Sequence, residues 1–458
     1  MASNMVMSST LDLFKKPETD YSIDSYRMVT IQPTTTGINP MEFIIPKLES
    51  FVDLNRSYFT MELQMKKNDG NNWSASETLW PANNLAHTII KQIDLYLNGT
   101  LISPQSDTYH YKAYLQTLTN FDTKDGRTVL RPTGWFNGIN PPPQWTANNV
   151  DTTSNAGAGH NDYQNLAANT KLLLANMSAE RGQLAGGKVR HYVFVPHLEV
   201  FHTGKALVPG VEIKMKFHFN DPKIFLDGVG KAGRLTEADI KIRFHLCQLR
   251  LNEAVHKHLE SRRHNGKAVA KYPTVRSEIR TYSMENTKSR EEIRDLFQNR
   301  VPDRMIVALL DSRAFNGAYD RNCFWFQKFD LTAIKQIVRG EQYPYETLEL
   351  VGNDSSRDLL GYFRYLLASG AWCHLTGNVL EETDWGQDKG CTLFMVDNVA
   401  NGCADSRNLN PKQSGDLQLK LEFRNAPASN ITILVYGEFE NLLENDPNGA
   451  VLYDIYQH

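Results

Sequence analysis

Few residue patterns in this 458-residue chain could do chemistry. The segment 228–233 reads Gly-Val-Gly-Lys-Ala-Gly and matches the glycine spacing of a dinucleotide site. Such a site also needs a buried parallel strand before the glycines, a helix after them and an acidic residue about 20 positions further on. Here Asp227 precedes the glycines and an alternating segment, 240–246, follows them. The segment is therefore interpreted as a glycine-rich loop between two antiparallel strands.

A second pattern places two histidines, His256 and His258, beside Glu260. Metal-binding jelly rolls of the cupin kind use such a pair, but they need an upstream glycine and a longer gap to the glutamate. Arg250 occupies the upstream position here. No zinc-ligand cysteine pair, serine nucleophile elbow or phosphate-binding loop occurs in the sequence. We therefore predict no catalytic residue, no metal site and no cofactor.

A third pattern is a basic cluster formed by Arg262, Arg263 and Lys267. Such side chains contact a phosphate backbone as salt-sensitive charges that carry no sequence information. The whole chain has 49 basic and 52 acidic residues and a net charge of −3, so its overall charge does not favour nucleic acid or anionic membranes. The default interpretation is a solvated linker. Weak contact with a nucleic-acid backbone is the alternative.

Composition fits an ordinary globular protein, with 41% hydrophobic and 22% charged residues, and the length predicts two to four domains. No apolar run reaches the roughly 18 to 20 residues that span a bilayer, and no secretory leader is expected at the N-terminus. The five cysteines are widely spaced, which predicts reduced thiols in a cytosolic or nuclear protein.

Strict alternation of apolar and polar residues marks several strands with one buried face. It extends over 211–219 and again over 416–424. From Ile240 the apolar positions are 240, 242, 244 and 246, and then they shift to 249 and 251. A shift of phase within a strand predicts a β-bulge near Cys247 or Gln248.

The same plan occurs twice along the chain, about 200 residues apart. The matching pairs are 94–99 with 335–340, Pro104 with Pro344, 111–115 with 362–366, 210–217 with 415–423, and 239–244 with 430–435. This period is far longer than the 20 to 50 residues of a solenoid repeat. It therefore predicts two similar whole domains, 1–262 and 263–458.

Further short strands are predicted in both halves, at 27–30, 42–45, 58–65, 275–283, 304–310 and 323–329. Helical spacing occurs at 111–118 and 359–366. Many short strands with few helices are typical of sandwiches. The predicted fold is therefore all-β, with two tandem jelly-roll β-sandwiches that each carry a short helix.

The two copies differ by an insertion in the first. Gly99 and Gly210 are 111 positions apart, whereas Gly340 and Gly415 are 75 apart. Most of the additional residues fall between 121 and 190, a stretch rich in polar residues and proline. Long excursions of this kind are usually functional. We predict a functional loop there, with Trp135, Phe136, Pro142 and Trp145 as its candidate contact residues.

The order of several segments resembles the double jelly-roll major capsid proteins of adintoviruses and Maverick/Polinton elements. The segments are 11–14 (LDLF), 17–23 (PETDYSI), 42–46 (EFIIP), 83–87 (NNLAH), 97–99 (LNG), 324–331 (FWFQKFDL) and 415–419 (GDLQL). The resemblance covers nearly the whole chain and is weakest over 121–190.

That resemblance implies a homotrimer whose six jelly rolls form a pseudo-hexagonal capsomer of an icosahedral shell around double-stranded DNA. It implies partners as well: neighbouring capsomers, a penton protein and minor capsid proteins. It places the protein in the virion capsid, assembled in the host nucleus. The sequence leaves two alternatives open, a carbohydrate-binding jelly-roll protein and a jelly-roll hydrolase.

Overall fold

The chain folds into two β-sandwiches packed against each other, as seen in a computed structural model. The structure describes residues 19–72, 80–136, 185–227, 233–319, 321–343, 346–350, 358–374, 378–386, 390–400, 402, 404 and 409–453. None of the helices in these ranges is long and apolar enough to cross a membrane.

Each sheet of the first sandwich is antiparallel. Sheet 1A has the order β1-β12-β3-β8 and sheet 1B the order β2-β9-β6-β7, while β4 pairs with β11 and β5 with β10. The strands described here are β1 (Ile23–Ile31), β2 (Met41–Ile45), β3 (Phe51–Gln64), β4 (Lys66–Lys67), β5 (Trp80–Pro81), β6 (Ile90–Leu97), β7 (Thr100–Leu101), β8 (Val189–Phe194), β9 (Ile213–Phe219), β10 (Leu226–Asp227), β11 (Gly233–Arg234) and β12 (Ile240–Leu251).

The second sandwich repeats this topology. Sheet 2A has the order β13-β21-β15-β19 and sheet 2B the order β14-β20-β16-β17, with β22 added to β21 and β18 to β16. Its strands are β13 (Ala270–Met284), β14 (Arg290–Ile293), β15 (Arg304–Asp311), β16 (Leu331–Val338), β17 (Glu341–Gln342), β18 (Leu348–Glu349), β19 (Leu393–Asp397), β20 (Leu417–Phe423), β21 (Ile431–Asn445) and β22 (Val451–Leu452). The predicted fold of two tandem jelly rolls is confirmed.

Alternation in the sequence produces the closed core of the first sandwich. Phe59 of sheet 1A stacks on Phe244 at 4.4 Å and meets Phe43 and Phe217 of sheet 1B at 5.6 and 5.2 Å. All four rings are fully buried. Pressing the apolar faces of two sheets together removes them from water, which supplies most of the stabilisation.

One local prediction agrees with the structure, and one feature of the duplication recurs in both halves. The register of β12 against β3 shifts between His245 and Cys247, which confirms the predicted bulge. The equivalent hairpins β6-β7 and β16-β17 turn through Asn98-Gly99 and Arg339-Gly340, and all four residues have positive φ. Two successive residues with positive φ are typical of tight two-residue hairpins, whose twist matches the flanking strands.

The helices described are α1 (Leu85–Thr88), α2 (Tyr109–Asn120), α3 (Thr123–Arg127), α4 (Pro222–Phe225), α5 (Glu253–His264), α6 (Ser312–Phe315), α7 (Leu359–Ala368) and α8 (Ala371–His374). The predicted helices at 111–118 and 359–366 correspond to α2 and α7. The expectation of one helix per half was too low. Helix α5 connects the sandwiches at the basic cluster that was interpreted as a solvated linker, and its N-terminus is capped by the side chain of Asn252.

One predicted strand is wrong. Residues 323–329 form turns with a single isolated bridge between Phe326 and Cys391. Cys323, Phe324 and Phe326 are buried against the first sandwich, whereas Phe329 packs on the core of the second. The apolar content therefore predicted burial correctly and conformation incorrectly. The predicted domain boundary between residues 262 and 263 falls within α5, and its use as a domain border stays a prediction.

Candidate assembly surfaces

Helix α2 fills the junction between the two sandwiches. Nine of its twelve residues are buried. The ring of Tyr111 stacks on Phe315 at 5.5 Å, and the ring of Tyr114 stacks on Phe324 at 4.6 Å. Both partner rings belong to the second half of the chain. Aromatic pairs at such separations contribute about 0.5–1.5 kcal/mol each beyond the area they bury, so α2 anchors one sandwich to the other.

This junction buries the outer face of sheet 2A. All eight residues of β15 are buried. Ile306, Ala308 and Leu310 belong to the hydrophobic cluster that also forms the core of the first sandwich. The alternate side chains, Met305 and Val307 among them, belong to the core of the second. Strand β15, in the interior of sheet 2A, is therefore covered on both faces, which is unusual in an antiparallel sheet.

A buried polar network crosses the same junction. The Gln116 side-chain amide donates to the Tyr436 hydroxyl at 2.9 Å, and that hydroxyl donates to Glu438 at 2.6 Å. Glu438 also pairs with Arg304 at 2.7 Å. Burial and the Glu438 carboxylate hold the pKa of Tyr436 well above its ordinary value. Satisfied buried networks of this kind fix one docking geometry, because a displaced partner leaves polar groups unpaired.

The first sandwich contributes a buried ion pair beneath α2. The Lys112 ammonium lies 2.8 Å from the Glu199 carboxylate, and the two side chains are 9% and 7% exposed. Removing one partner of such a pair leaves a buried charge, whereas the pair itself satisfies both groups. The pair therefore fixes where α2 sits on the first sandwich.

A second contact between the sandwiches lies next to α5. The Arg263 guanidinium donates to the Pro209 carbonyl at 3.0 Å and to the Asn445 side chain at 2.8 Å. The Tyr272 hydroxyl accepts from the Val208 amide at 3.0 Å. Burial raises the pKa of Tyr272 to about 12, so the hydroxyl keeps its proton. Both contacts join loops of the first sandwich to β13 and β21.

Three histidines lie close together near α2, of which His87 is buried, His197 is half-buried and His202 is exposed. His87 lies 3.1 Å from the Tyr109 hydroxyl, His197 lies 2.9 Å from the Gln116 side-chain oxygen, and His202 lies 3.2 Å from the Pro196 carbonyl. Burial lowers the pKa of His87 to about 3 and holds the pKa of His197 well below its ordinary value. Neutral imidazoles tied into hydrogen bonds act here as packing groups. No group of three or more His, Cys, Asp and Glu able to hold a metal occurs among the described residues.

Helix α7 occupies the equivalent place in the second sandwich, and its environment is different. Only Gly361, Tyr365 and Ala368 of its ten residues are buried. Its exposed side is apolar and carries Leu359, Leu360, Phe363 and Leu367, which are 58%, 48%, 36% and 37% exposed. Exposed contiguous apolar patches mark interaction sites in soluble proteins.

The outer face of sheet 1A is the second uncovered surface. Its strands alternate between buried and exposed residues, unlike β15. Tyr26, Met28 and Val193 are 62%, 36% and 39% exposed on it. At its centre the rings of Tyr58 and His245 stack at 4.7 Å. The two sandwiches therefore differ in what covers them, although their topology is the same.

A polar groove of about 960 Å³ lies at one end of the second sandwich, lined by Arg300, Asp303, Lys412 and Glu440 among others. Burial raises the pKa of Asp303 to about 6. Its carboxylate accepts from the Glu440 amide at 2.8 Å, and Glu440 accepts from the Asn410 side chain at 2.8 Å. These groups hold Asn410 against β21, so they are engaged within the chain.

The structure corrects part of the predicted contact loop. Trp135 and Phe136 are 1% and 4% exposed, so they have no free surface for another subunit. Trp135 packs on Tyr114 at 5.6 Å, and Phe136 exchanges backbone hydrogen bonds with the Asn83 side chain. Trp135 and Phe136, which were predicted to lie in the contact loop, therefore belong to the packed interior of the first sandwich. Pro142 and Trp145 lie outside the described residues, and their role stays a prediction.

The three residues of the predicted basic cluster lie in two different environments. Arg262 and Lys267 are exposed near the end of α5, whereas Arg263 is half-buried in the contact between the sandwiches. Arg263 is thus a structural residue. Contact of Arg262 and Lys267 with nucleic acid stays a prediction.

Sequence reasoning missed the exposed face of α7. A signal was present, because the segment LLGYFRYLLA is apolar on more than one side of a helix. A helix on the surface of a single chain normally shows one apolar stripe facing the core. The second stripe indicates a second partner.

Comparisons with known proteins agree with the fold. No protein-family profile matches the chain. An uncharacterized protein of Caenorhabditis elegans is 19% identical over 445 residues, covering 94% of this chain and 97% of that protein. Among solved structures, the Sputnik virophage particle matches with a TM-score of 0.57 at 9% identity, covering 99% of this chain and 93% of the other.

Two further structures match in the same way. The PBCV-1 virus capsid has a TM-score of 0.56 at 10% identity, covering 97% of this chain and all of the other. The mavirus major capsid protein has a TM-score of 0.55 at 13% identity, covering this whole chain and 95% of the other. At such identities the likeness concerns the fold. The chain has the double jelly-roll fold that is seen in these viral major capsid proteins.

Proposed function

We propose that the protein is a major capsid protein, in which three copies form a pseudo-hexagonal capsomer and capsomers tile an icosahedral shell around double-stranded DNA. The observation that carries this proposal is the repeated strand order, in which sheets 1A and 1B recur as sheets 2A and 2B within one chain. The likeness to capsid proteins over 93% or more of each chain supports it.

A duplicated sandwich has a physical advantage in a shell. Three chains with two sandwiches each present six similar corners, so hexagonal neighbours can meet through similar contacts. Closed symmetric rings are the usual form of soluble homo-oligomers. Permanent assemblies commonly bury more than roughly 2,000 Å² per interface, and the uncovered faces of α7 and sheet 1A are available for such contacts.

The finer proposals follow the sequence resemblance. The protein is of the adintovirus or Maverick/Polinton kind, and it assembles in the host nucleus with a penton protein and minor capsid proteins. The loop insertion within 121–190, with Pro142 and Trp145 as its candidate contact residues, forms part of an outer tower or trimer contact. Arg262 and Lys267 make weak contacts with packaged DNA. These proposals need no enzymatic activity and no cofactor.

The test is assembly of the expressed full-length protein. We expect size-exclusion chromatography with light scattering to give three times the monomer mass, and negative-stain microscopy to show hexagonal particles or shells. A monomer at all concentrations that binds glycans in an array would replace the proposal with the carbohydrate-binding alternative. Deletion of residues 148–159 tests the loop, because unchanged trimers with an unchanged particle surface would contradict its assigned role.

A further inference from the structure

We propose that the exposed apolar face of α7 docks on the outer face of sheet 1A of a second copy of this chain. This inference rests on the proposed function, because it names the contact that joins neighbouring chains in the capsomer. Four observations carry it: the exposed helix, a buried counterpart that serves as a template, an uncovered receiving sheet and complementary charge.

The exposed helix face is continuous. Leu359, Leu360, Phe363 and Leu367 are spaced i, i+1, i+4 and i+8, which places them on one side of α7. Trp372 of α8 is 55% exposed and meets the Phe363 ring edge-on at 5.0 Å. The indole therefore extends the apolar face beyond the end of α7.

The template is the internal junction. Helix α2 lies between β7 and β8, and α7 lies between their counterparts in the duplicated topology, β17 and β19. Helix α2 is covered by the second sandwich, whose sheet 2A is in turn buried on its outer face. The internal junction thus shows how α2 and the outer face of sheet 2A, the counterparts of α7 and sheet 1A, cover each other.

The receiving surface is the counterpart of that buried sheet face. Sheet 1A pairs Thr30 of β1 with His245 of β12, and His245 with Tyr58 of β3. Both ring nitrogens of His245 lie within 3.2 Å of a threonine hydroxyl, that of Thr30 or Thr60, so the centre of the face is held in place. Exposed Tyr26, Met28 and Val193 lie around this centre on the edge strands.

The occupant is a second copy because the two surfaces are both exposed within one chain and so do not cover each other. They are also different surfaces, a helix and a sheet. A contact between different patches is head-to-tail, and it closes into a ring when the rotation allows. The internal junction and the proposed contact then alternate around the ring, which gives six sandwiches from three chains.

Charge complements this pairing. The receiving face carries Arg56, which pairs with Asp53, Arg243, which pairs with Glu62, and exposed Lys241, so it has a small excess of positive charge. Next to α7, Glu346 pairs with Arg364 of the helix, and exposed Glu381 adds negative charge. The opposite sign of these small excess charges favours this docking over contact between two helices or two sheets.

The first experiment uses paired glutamate substitutions. We expect Leu360→Glu with Leu367→Glu to leave a folded monomer and to raise the concentration needed for trimers about 100-fold or more. Tyr26→Glu with Val193→Glu should do the same from the receiving side. The matched control is Leu409→Glu with Leu452→Glu, since these leucines are 49% and 54% exposed elsewhere on the second half. Circular dichroism and thermal melts check that each variant is folded.

The second experiment identifies the neighbour. A photo-reactive phenylalanine analogue replaces Phe363 in unlabelled chains, which are mixed with ¹⁵N-labelled wild-type chains and irradiated. We expect crosslinks from the unlabelled 363 position to labelled peptides that contain residues 23–31 or 189–194. Crosslinks within one chain to residues 1–18 or 137–184 would overturn the proposal, as would crosslinks between two copies of α7.

The outcomes separate this inference from the proposed function. If both paired variants form trimers at the same concentration as the wild-type protein, the docking surface is refuted and the capsid proposal stays intact. Wild-type protein that never forms trimers or shells would refute the capsid proposal itself. Loss of trimers in the control variant to the same extent would show that added charge, and not position, is responsible.

Discussion

Helices α2 and α7 hold the same position in two sandwiches of the same topology, yet one is buried and the other is half exposed. The difference arises from the neighbours. The second sandwich lies over α2, whereas α7 has no equivalent cover among the described residues of its own chain. Duplication thus produced two similar elements, and their packing gave them different roles, one inside the chain and one on its surface.

The largest test of this difference compares two aromatic truncations. Tyr114→Ala on α2 should lower the free energy of unfolding by about 3–5 kcal/mol, because it leaves a cavity between rings at the junction. Phe363→Ala on α7 should lower it by less than about 1 kcal/mol in the monomer, because that ring is 36% exposed. Urea denaturation at low protein concentration measures both free energies of unfolding. Equal losses in the two variants would contradict the inferred difference in burial between α2 and α7.

Ion pairs on the two helices provide the next test. Glu199→Ala removes the carboxylate that pairs with the buried Lys112 ammonium. We therefore expect the free energy of unfolding to fall by about 3 kcal/mol or more. Glu346→Ala removes the ion-pair partner of Arg364. Because the Glu346 side chain is 78% exposed, this substitution should lower the free energy of unfolding by at most about 1 kcal/mol. The same denaturation experiment applies. A large effect at Glu346 would show that α7 is less exposed in solution than in this structure.

Acid should weaken the region around α2 through its histidines. Burial, with a smaller contribution from His202, lowers the pKa of His87 to about 3, and burial with nearby Lys91 does the same for His110. An unfolded histidine titrates near 6.5, so the unfolded chain binds more protons between pH 6.5 and 3. Stability therefore falls as pH falls through this window, by roughly 2 kcal/mol per histidine at pH 5.

Denaturant midpoints at pH 7 and pH 5 measure this loss. His110→Gln should reduce the difference between the two midpoints by the contribution of this one histidine, because glutamine does not titrate. An unchanged pH dependence in that variant would assign the acid sensitivity to other groups.

The smallest test asks where the two halves remain alike. Gly99 and Gly340 close equivalent hairpins at φ of 82° and 85°, and no atom lies within 4 Å of a Cβ placed on either. Gly99→Ala and Gly340→Ala should each cost about 1–2 kcal/mol, because an L-residue is strained in this region. Denaturation midpoints should agree within about 0.5 kcal/mol. Unequal losses would show that the hairpins differ in more than their turns.

Much of the fold could be predicted from local patterns. Alternation located β9, β12 and β20, and a single shift of phase located the bulge between His245 and Cys247. These signals are local because the side-chain period of a strand is two, and any slip exchanges its buried and exposed faces. Helix α5 was missed because it is mostly polar and none of its residues is buried, so Val255 and Leu259 alone form too short an apolar stripe to detect.

The candidate surfaces were less predictable. Trp135 was assigned to a contact loop because of its residue type, and the structure places it beneath Tyr114. Arg263 was grouped with Arg262 by sequence proximity, whereas the two side chains lie in different environments. Proximity in sequence does not specify direction at the end of a helix, where neighbouring residues point about 100° apart.

The sequence by itself determined the all-β class, the duplication and the alternating strands, because each depends on periodicity or on similarity between segments of one chain. Only the tertiary structure decided that α2 is an internal anchor while α7 presents an apolar face. Periodicity records that a side of a helix avoids water, but it does not record which surface covers that side. That choice depends on contacts between residues 200 or more positions apart, such as Gln116 with Tyr436 and Tyr365 with Leu118.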